Sequence, residues 1–218
     1  VEISGNPKFD SASADVKGAQ GRAWRERLGR PVLLLASTRE GEEKMLLEAM
    51  PAWDERLLVL IVPRHPRRFD EVFPLAQSRR SRDPMPAAMD RVHLGDSMGE
   101  MDFYYAAADV AVIGGSFAPR GGQNLIEACA AGVPVVLGPS MFNFAEATRL
   151  ALEAGAAVQA ADAPGAIREA LRLLSNPEER KKMGAAGRAL CESHRGATQR
   201  HVDACRALLS GARAGSLA

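Results

Sequence analysis

Six short runs, PVLLLAS (31–37), LLVLIVP (57–63), RVHLG (91–95), DVAVIGG (109–115), PVVLG (134–138) and AAVQA (156–160), recur along this chain of 218 residues. A strand with one wet face alternates apolar and polar positions, so an almost unbroken apolar run predicts a strand covered on both sides. Between the runs lie stretches with helical periodicity at 40–50, 69–80, 100–107, 123–131, 145–154 and 166–174. Strand and helix in alternation with short links predict an α/β chain built on a doubly wound parallel sheet. Ligands of such sheets sit beyond the carboxyl ends of the strands.

The flanks read differently. Residues 1–17, with scattered Ser, Gly and Asp, resemble a linker or the remnant of something upstream, and a helix is expected over 18–28. The chain opens on Val1, which suits a piece excised from a longer protein. In NPEERKKMGAAGRAL (176–190), Asn176 is placed to cap a helix with Pro177 at its first position. A last helix is expected over 197–210, and 206–218 form a Gly/Ala/Ser tail beyond the domain at 18–205.

Composition excludes several classes. With 46% apolar and 25% charged residues the chain is of globular type, and a net charge of +1 creates no global field for nucleic acid or an acidic membrane. An anionic ligand must therefore be held by local groups. Neither Val32–Ala36 nor Leu57–Val62 approaches the roughly 20 residues that span a bilayer. Three cysteines, Cys129, Cys191 and Cys205, without close pairing suit a reducing compartment, hence the cytosol.

The loops after the strands carry the chemistry: STREGEE (37–43), PRHPRRF (63–69), GDSMGEM (95–101), GGSFAPRGGQNLIE (114–127) and GPSMFNF (138–144). In GGQNLIE a helix opening near Gly122 would offer free N–H groups and a positive dipole end to a phosphate. Glu127, on the same face as Asn124, would suit the hydroxyls of a ribose. The alternative is that Gly121 and Gly122 only make a turn and Glu127 is solvated. Arg64, aimed outward by Pro63, has the fork to grip a phosphate. His65 is either a second donor or a structural hydrogen-bonder, while Arg67, Arg68 and the cluster Arg79, Arg80, Arg82 read as solvated. The loop at Met98, Gly99 and Glu100 can present backbone groups to a base edge, with Ser97 and Glu100 forming a capping box. Ser37 or Thr38, and Asn143 with Glu146, are placed as further helix caps.

Metal and covalent chemistry find little support. The array Cys191, His194, His201 and Cys205 lacks the spacing of known zinc sites, no GxSxG elbow occurs, and Cys129 falls on the apolar side of its helix.

Taken in series, GNPKFD, TREGEE, VPRHPRRF, LGDSMGEM, FYYAAADVAVIGGS and GGQNLIEACAAGVPVVLGPSMFNFAEA closely resemble the C-terminal half of the 3-deoxy-D-manno-octulosonic acid (Kdo) transferases, over residues 1 to about 205. The resemblance implies a GT-B glycosyltransferase of two Rossmann-like domains, this chain being the domain that binds the donor CMP-Kdo. By match of motif, CMP would be contacted by Pro63 and Arg64, by Met98, Gly99 and Glu100, and by Asn124, Leu125, Ile126 and Glu127. Thr38, His65, Gly121, Gly122, Gln123 and Asn143 are additional candidates. Lys8 matches the lysine that stabilises the transition state.

The resemblance implies neither cofactor nor metal. It places the general base, the contacts to the lipid A precursor and the membrane-associating segment in an N-terminal half with no counterpart here, so this chain alone is expected to be inactive. The whole enzyme would work on the cytoplasmic face of the bacterial inner membrane. Ala128, where the family commonly has proline, Ser140 with Met141, and Pro7 depart from the pattern. A GT-B domain for a UDP-sugar and a non-catalytic nucleotide sensor are the competing readings.

Overall fold

In a computed structural model, which describes residues 6–11, 16–51 and 54–214, seven strands form one parallel sheet. They are β1 (Val32–Thr38), β2 (Leu58–Pro63), β3 (Ser78–Arg79), β4 (Val92–Leu94), β5 (Val110–Ile113), β6 (Val135–Leu137) and β7 (Ala157–Gln159). Their order is β3-β4-β2-β1-β5-β6-β7, so the chain winds outward from β1 in one direction and then returns to lay β5 against its other side. The strand order thus reverses between β1 and β5, where a crevice opens at the carboxyl ends.

The helices are α1 (Val16–Leu28), α2 (Glu42–Glu48), α3 (Phe69–Val72), α4 (Met101–Ala106), α5 (Ile126–Ala131), α6 (Ala145–Glu153), α7 (Ala163–Leu174), α8 (Pro177–Ser193) and α9 (Ala197–Ala214). Period-two alternation within the apolar strands splits the core in two. Leu34, Leu60, Ala111 and Val135 face Trp24, Phe103, Tyr104 and Cys129 on one side. Leu33, Leu35, Val59, Ile61, Val112 and Val136 face Leu46, Ile167, Ala170 and Leu173 on the other. Each fully buried leucine contributes about 1.5–3 kcal/mol of transfer free energy, and all six runs become strands. Only β7, at an edge, leaves its Gln159 exposed.

Several local expectations fail for identifiable reasons. The helix expected at 69–80 stops at Val72, because Pro74 turns the chain through the 3-10 segment Phe73–Leu75 and Ser78–Arg79 then pair with β4. Thr38 and Ser37 belong to the end of β1, and α2 starts after Gly41 with no side-chain cap. Asn143 and Ser97 also cap nothing: Phe144 precedes α6 and Glu100 precedes α4, neither with a side-chain cap. Asn176 does accept from Glu179 N at 3.1 Å, and Pro177 opens α8. The last helix continues to Ala214, four positions beyond the expected end.

Of the segment read as a linker, Pro7–Ser11 forms a 3-10 turn, while 1–5 and 12–15 lie outside the described residues. Phe9 is 1% exposed and stacks on His194 with ring centroids 4.9 Å apart. Asp10 accepts from Gly196 N and Thr198 N, both at 2.6 Å, so the segment is fastened to the start of α9. No helix among the described residues is long and apolar enough to cross a membrane.

Candidate functional site

The β1–β5 crevice is organised by a buried carboxylate that sequence reasoning passed over. Glu42, 1% exposed at the start of α2, accepts from Arg39 N at 2.8 Å, Gly115 N at 2.6 Å and Phe117 N at 3.1 Å. It ties together the loops after β1 and β5. Its neighbour Glu43, equally buried, grips Arg68 at 2.5 and 3.1 Å, and Arg68 also reaches Glu71. Arg68 is therefore a buried anchor rather than a solvated charge, its guanidinium held strongly protonated by both glutamates against the opposing effect of burial. The only advance sign of this pair is two adjacent glutamates directly after a glycine.

At the end of β2, Pro63 closes the strand and Arg64 donates its backbone N–H to Thr38 O at 3.0 Å. The Arg64 side chain, exposed, gives Nε to Gln123 Oε1 at 3.2 Å, which brings the loops after β2 and β5 together. Arg39 Nη1 lies 2.9 Å from His65 Nε2. A guanidinium only donates, so the imidazole accepts there and is neutral. Burial first, then the charges of Arg39, Arg64, Arg67 and Arg68, hold His65 below the ordinary histidine range.

GGQNLIE is more compact than its sequence implies. Gly121 and Gly122 have φ of 81° and 77°, and a Cβ on either would come within 2.3 Å of Asn143 Nδ2 or Met141 Sδ. Their amides are engaged, Gly121 N donating to Ser140 Oγ at 3.2 Å and Gly122 N to Gly115 O at 2.8 Å. The helix begins at Ile126, not near Gly122, so the glycines serve a turn against the 138–144 loop and present no N–H to a phosphate. Gln123 N, Asn124 N and Leu125 N have no acceptor among the described residues. Asn143, for its part, donates Nδ2 to Arg120 O at 2.9 Å and N to Gly121 O at 3.1 Å.

Asn124 and Glu127 do share a face. Asn124 Nδ2 donates to Glu127 Oε1 at 2.9 Å while its Oδ1 accepts from Ile126 N at 3.1 Å. Burial pushes the Glu127 carboxyl above the usual range; the Asn124 bond pulls it back, Asp102 raises it and Arg64 lowers it. Glu127, Asp102 and Tyr105 line one end of a cavity of about 410 Å3 between α1, α4, α5 and α8. Leu125 and Ile126 are buried, and the Ile126 amide is taken by Asn124.

In the loop after β4, Met98 is 58% exposed, whereas Glu100 is committed. Its carboxylate accepts from Arg80 at 2.7 and 3.3 Å and from Ser97 Oγ, and Arg80 stacks 3.7 Å over the Phe103 ring. The Arg80 bond, the largest influence, lowers the Glu100 carboxyl. Lys17 Nζ donates to Gly99 O. Arg79 is salt-bridged to Asp70 and Asp96, so Arg79 and Arg80 depart from the solvated reading of their cluster, whereas Arg82, like Arg67, is exposed. Lys8, in the 3-10 turn Pro7–Ser11, holds its Nζ 4.3 Å above the ring of Phe144, in the loop after β6. The array Cys191, His194, His201 and Cys205 is dispersed, Cys191 Sγ turning inward to Ile126 O at 3.6 Å and Cys205 facing solvent.

This geometry can be set beside known proteins. The family described as glycosyl transferases group 1 matches residues 87–190. The crystal structure of the C-terminal CMP-Kdo binding domain of WaaA from Acinetobacter baumannii is 33% identical, superposes with a TM-score of 0.76, and is covered over 98% of its length by 81% of this chain. The chain belongs to the Kdo transferase family. The 3-deoxy-D-manno-octulosonic acid transferase of Bordetella pertussis is 51% identical over 215 residues, and that of Haemophilus influenzae is 35% identical over 217. In both comparisons 93% of the chain matches 50% of the relative, so the chain spans about half the length of these Kdo transferases. The Anabaena protein HepE, solved with UDP and glucose, has a TM-score of 0.63 at 15% identity and shares the fold. The expected class, one Rossmann-like half of a GT-B glycosyltransferase, is the observed one.

Proposed function

We propose that this chain is the donor-binding domain of a transferase that moves Kdo from CMP-Kdo to a lipid A precursor. The observation that carries the reading is the meeting of Arg64, Gln123, Asn124 and Glu127 beyond the strand ends, in a chain closely similar to a CMP-Kdo binding domain. Arg64 and the amides of Gln123 and Asn124 face the phosphate, Glu127 accepts from the ribose hydroxyls, the buried Leu125 backs the site, and the Met98–Glu100 loop borders the base. Pro63 and Ile126 shape the walls.

In the transfer step the acceptor hydroxyl attacks the anomeric carbon of Kdo, and the bond from that carbon to the CMP phosphate oxygen breaks. The electron pair leaves on the phosphate, and the configuration inverts. Arg64 and Lys8 stabilise the charge that develops there, which is stronger help in the transition state than in the bound donor. No resident cofactor is needed, and transfer is expected to survive chelators. The base that takes the acceptor proton, the acceptor contacts and the attachment to the cytoplasmic face of the inner membrane belong to the other half of the protein, so this chain alone binds donor without transferring it.

Calorimetric titration with CMP and with UDP tests the reading. Preference for CMP is expected. Preference for UDP would move the chain to the UDP-sugar transferases, and binding of CMP by a full-length protein that transfers nothing would make it a sensor.

A further inference from the structure

The donor proposed above carries two anions, the phosphate of CMP and the carboxylate of an octulosonic acid, and the site described so far accounts for one. A second cation is in place. Ser37, with φ of 54°, is the one non-glycine residue at positive φ among the described residues, and the β1–β2 pairing shifts register between Ala36 and Thr38. A side chain held in that region costs of order 1 kcal/mol or more, so the kink persists because its surroundings impose it. It lies one residue before the end of β1, where Thr38 still pairs with Pro63, and the bond from Arg39 N to Glu42 fixes the loop beyond.

Several arginines of this domain are neutralised by carboxylates. Arg25, Arg68, Arg79, Arg80, Arg120, Arg149 and Arg172 each contact a carboxylate. The guanidiniums of Arg39 and Arg64, on adjacent strand ends, form no salt bridge among the described residues: that of Arg39 is bound to the neutral ring of His65 and that of Arg64 to the amide of Gln123. His65 stands between them and feels both charges. Two guanidiniums that form no ion pair of their own among the described residues can each take an anion through their remaining N–H donors. The Arg39 bond to His65 occupies one of five N–H donors and orients the plane of the fork.

We infer that Arg39, oriented by His65, grips the carboxylate of the donor sugar while Arg64 holds its phosphate, so that Arg39 selects an acidic sugar over a neutral one. The inference rests on the donor-domain reading and deepens it. A nucleotide linked to an uncharged hexose offers nothing to this second guanidinium.

The test is titration of the chain and its variants with CMP and with CMP-Kdo. The chain itself should bind CMP-Kdo more tightly than CMP. Arg39→Gln should weaken CMP-Kdo at least about tenfold, the worth of one charge-assisted hydrogen bond, and leave CMP within about twofold. Retained CMP binding also shows that the variant is folded. Arg39→Lys, which keeps the charge and loses the fork, should fall between, and Arg64→Gln should weaken both ligands. Equal effects of Arg39→Gln on CMP and CMP-Kdo, or no effect on either, would overturn the inference and leave the donor-domain reading intact. Failure of the unaltered chain to bind CMP at all would remove the reading, and the inference with it.

Discussion

The carboxylate of Glu42 lies 2.6 Å from the backbone N of Gly115, joining the first turn of α2 to the end of β5 across 73 positions of sequence. With its bonds to Arg39 N and Phe117 N it places a fixed negative charge inside a nest of backbone amides, where a ligand anion would otherwise fit. The crevice at the strand reversal is thus closed by the protein's own anion, which fits the proposed placing of the ligand beside Arg64, Gln123 and Glu127.

Glu42→Gln puts an NH2 where N–H groups already point. Hydrogen bonds to a charged acceptor contribute roughly 1.5–3 kcal/mol each, and the repulsion adds to the loss, so a destabilisation of roughly 2–4 kcal/mol is expected. Thermal melting measures it as a drop of about 5–15 °C for a chain of this size. An unchanged melting temperature would mean that the carboxylate does not bind these amides.

In the proposed site Glu127 should give a pH signature to nucleotide binding. Its carboxyl is raised chiefly by burial, and only the ionised form accepts from both ribose hydroxyls without donating. CMP affinity is therefore expected to climb as pH rises through that raised value. Glu127→Ala should weaken CMP by about tenfold to a hundredfold and flatten the climb. It should also make the chain indifferent to loss of the ribose 2′-hydroxyl, which titration with deoxy-CMP reads directly.

Asp10 bonds to Gly196 N and Thr198 N, and the Thr198 bond is the first cause of its lowered carboxyl. These bonds persist above the ordinary carboxylate range and are lost as pH falls through the lowered value. Asp10→Ala is expected to speed amide hydrogen exchange at 6–11 and in the first turn of α9, with CMP affinity unchanged. In the full-length protein the same change should lower kcat and spare donor KM, because it loosens the segment bearing Lys8. Lys8→Ala with unaltered kcat would show that Lys8 has no part in the step.

What the sequence discloses divides along the range of the interactions. Six of the seven strands are legible because burial on both faces leaves a local mark, continuous apolar residues. The i, i+3 pair of Asn124 and Glu127 is local too, and it forms. Arg68 was misread because its partner Glu43 lies 25 positions away, and the amides of Gly121 and Gly122 because their acceptors sit on other loops. The helix expected through Phe73 gives way because the 3.6-residue period at 69–80 says nothing of a proline's effect on the preceding turn, nor of the vacant edge of β4 that Ser78 and Arg79 fill.

His93 carries the last prediction, on stability. It sits in β4, 1% exposed, with Nδ1 2.8 Å from Ser78 Oγ, its ring 6.3 Å from that of Trp24, and Nε2 without a hydrogen-bond partner. Burial lowers it to about 4; Asp90, Asp83 and Asp96 oppose the fall and Arg80 assists it. The unfolded chain therefore takes up this proton near pH 6.5, while the folded one refuses it until near pH 4. The stabilisation is complete above pH 6.5 and is lost as pH falls through that window, to a total of about 3 kcal/mol at 1.36 kcal/mol for each pH unit. Denaturant unfolding at pH 7.5, 6 and 5 reads the slope. In His93→Phe the slope between pH 6.5 and 5 should be much reduced, whatever the variant's absolute stability, since a ring that cannot protonate has nothing to refuse. An equal slope in the variant would assign the acid sensitivity to the carboxylates instead.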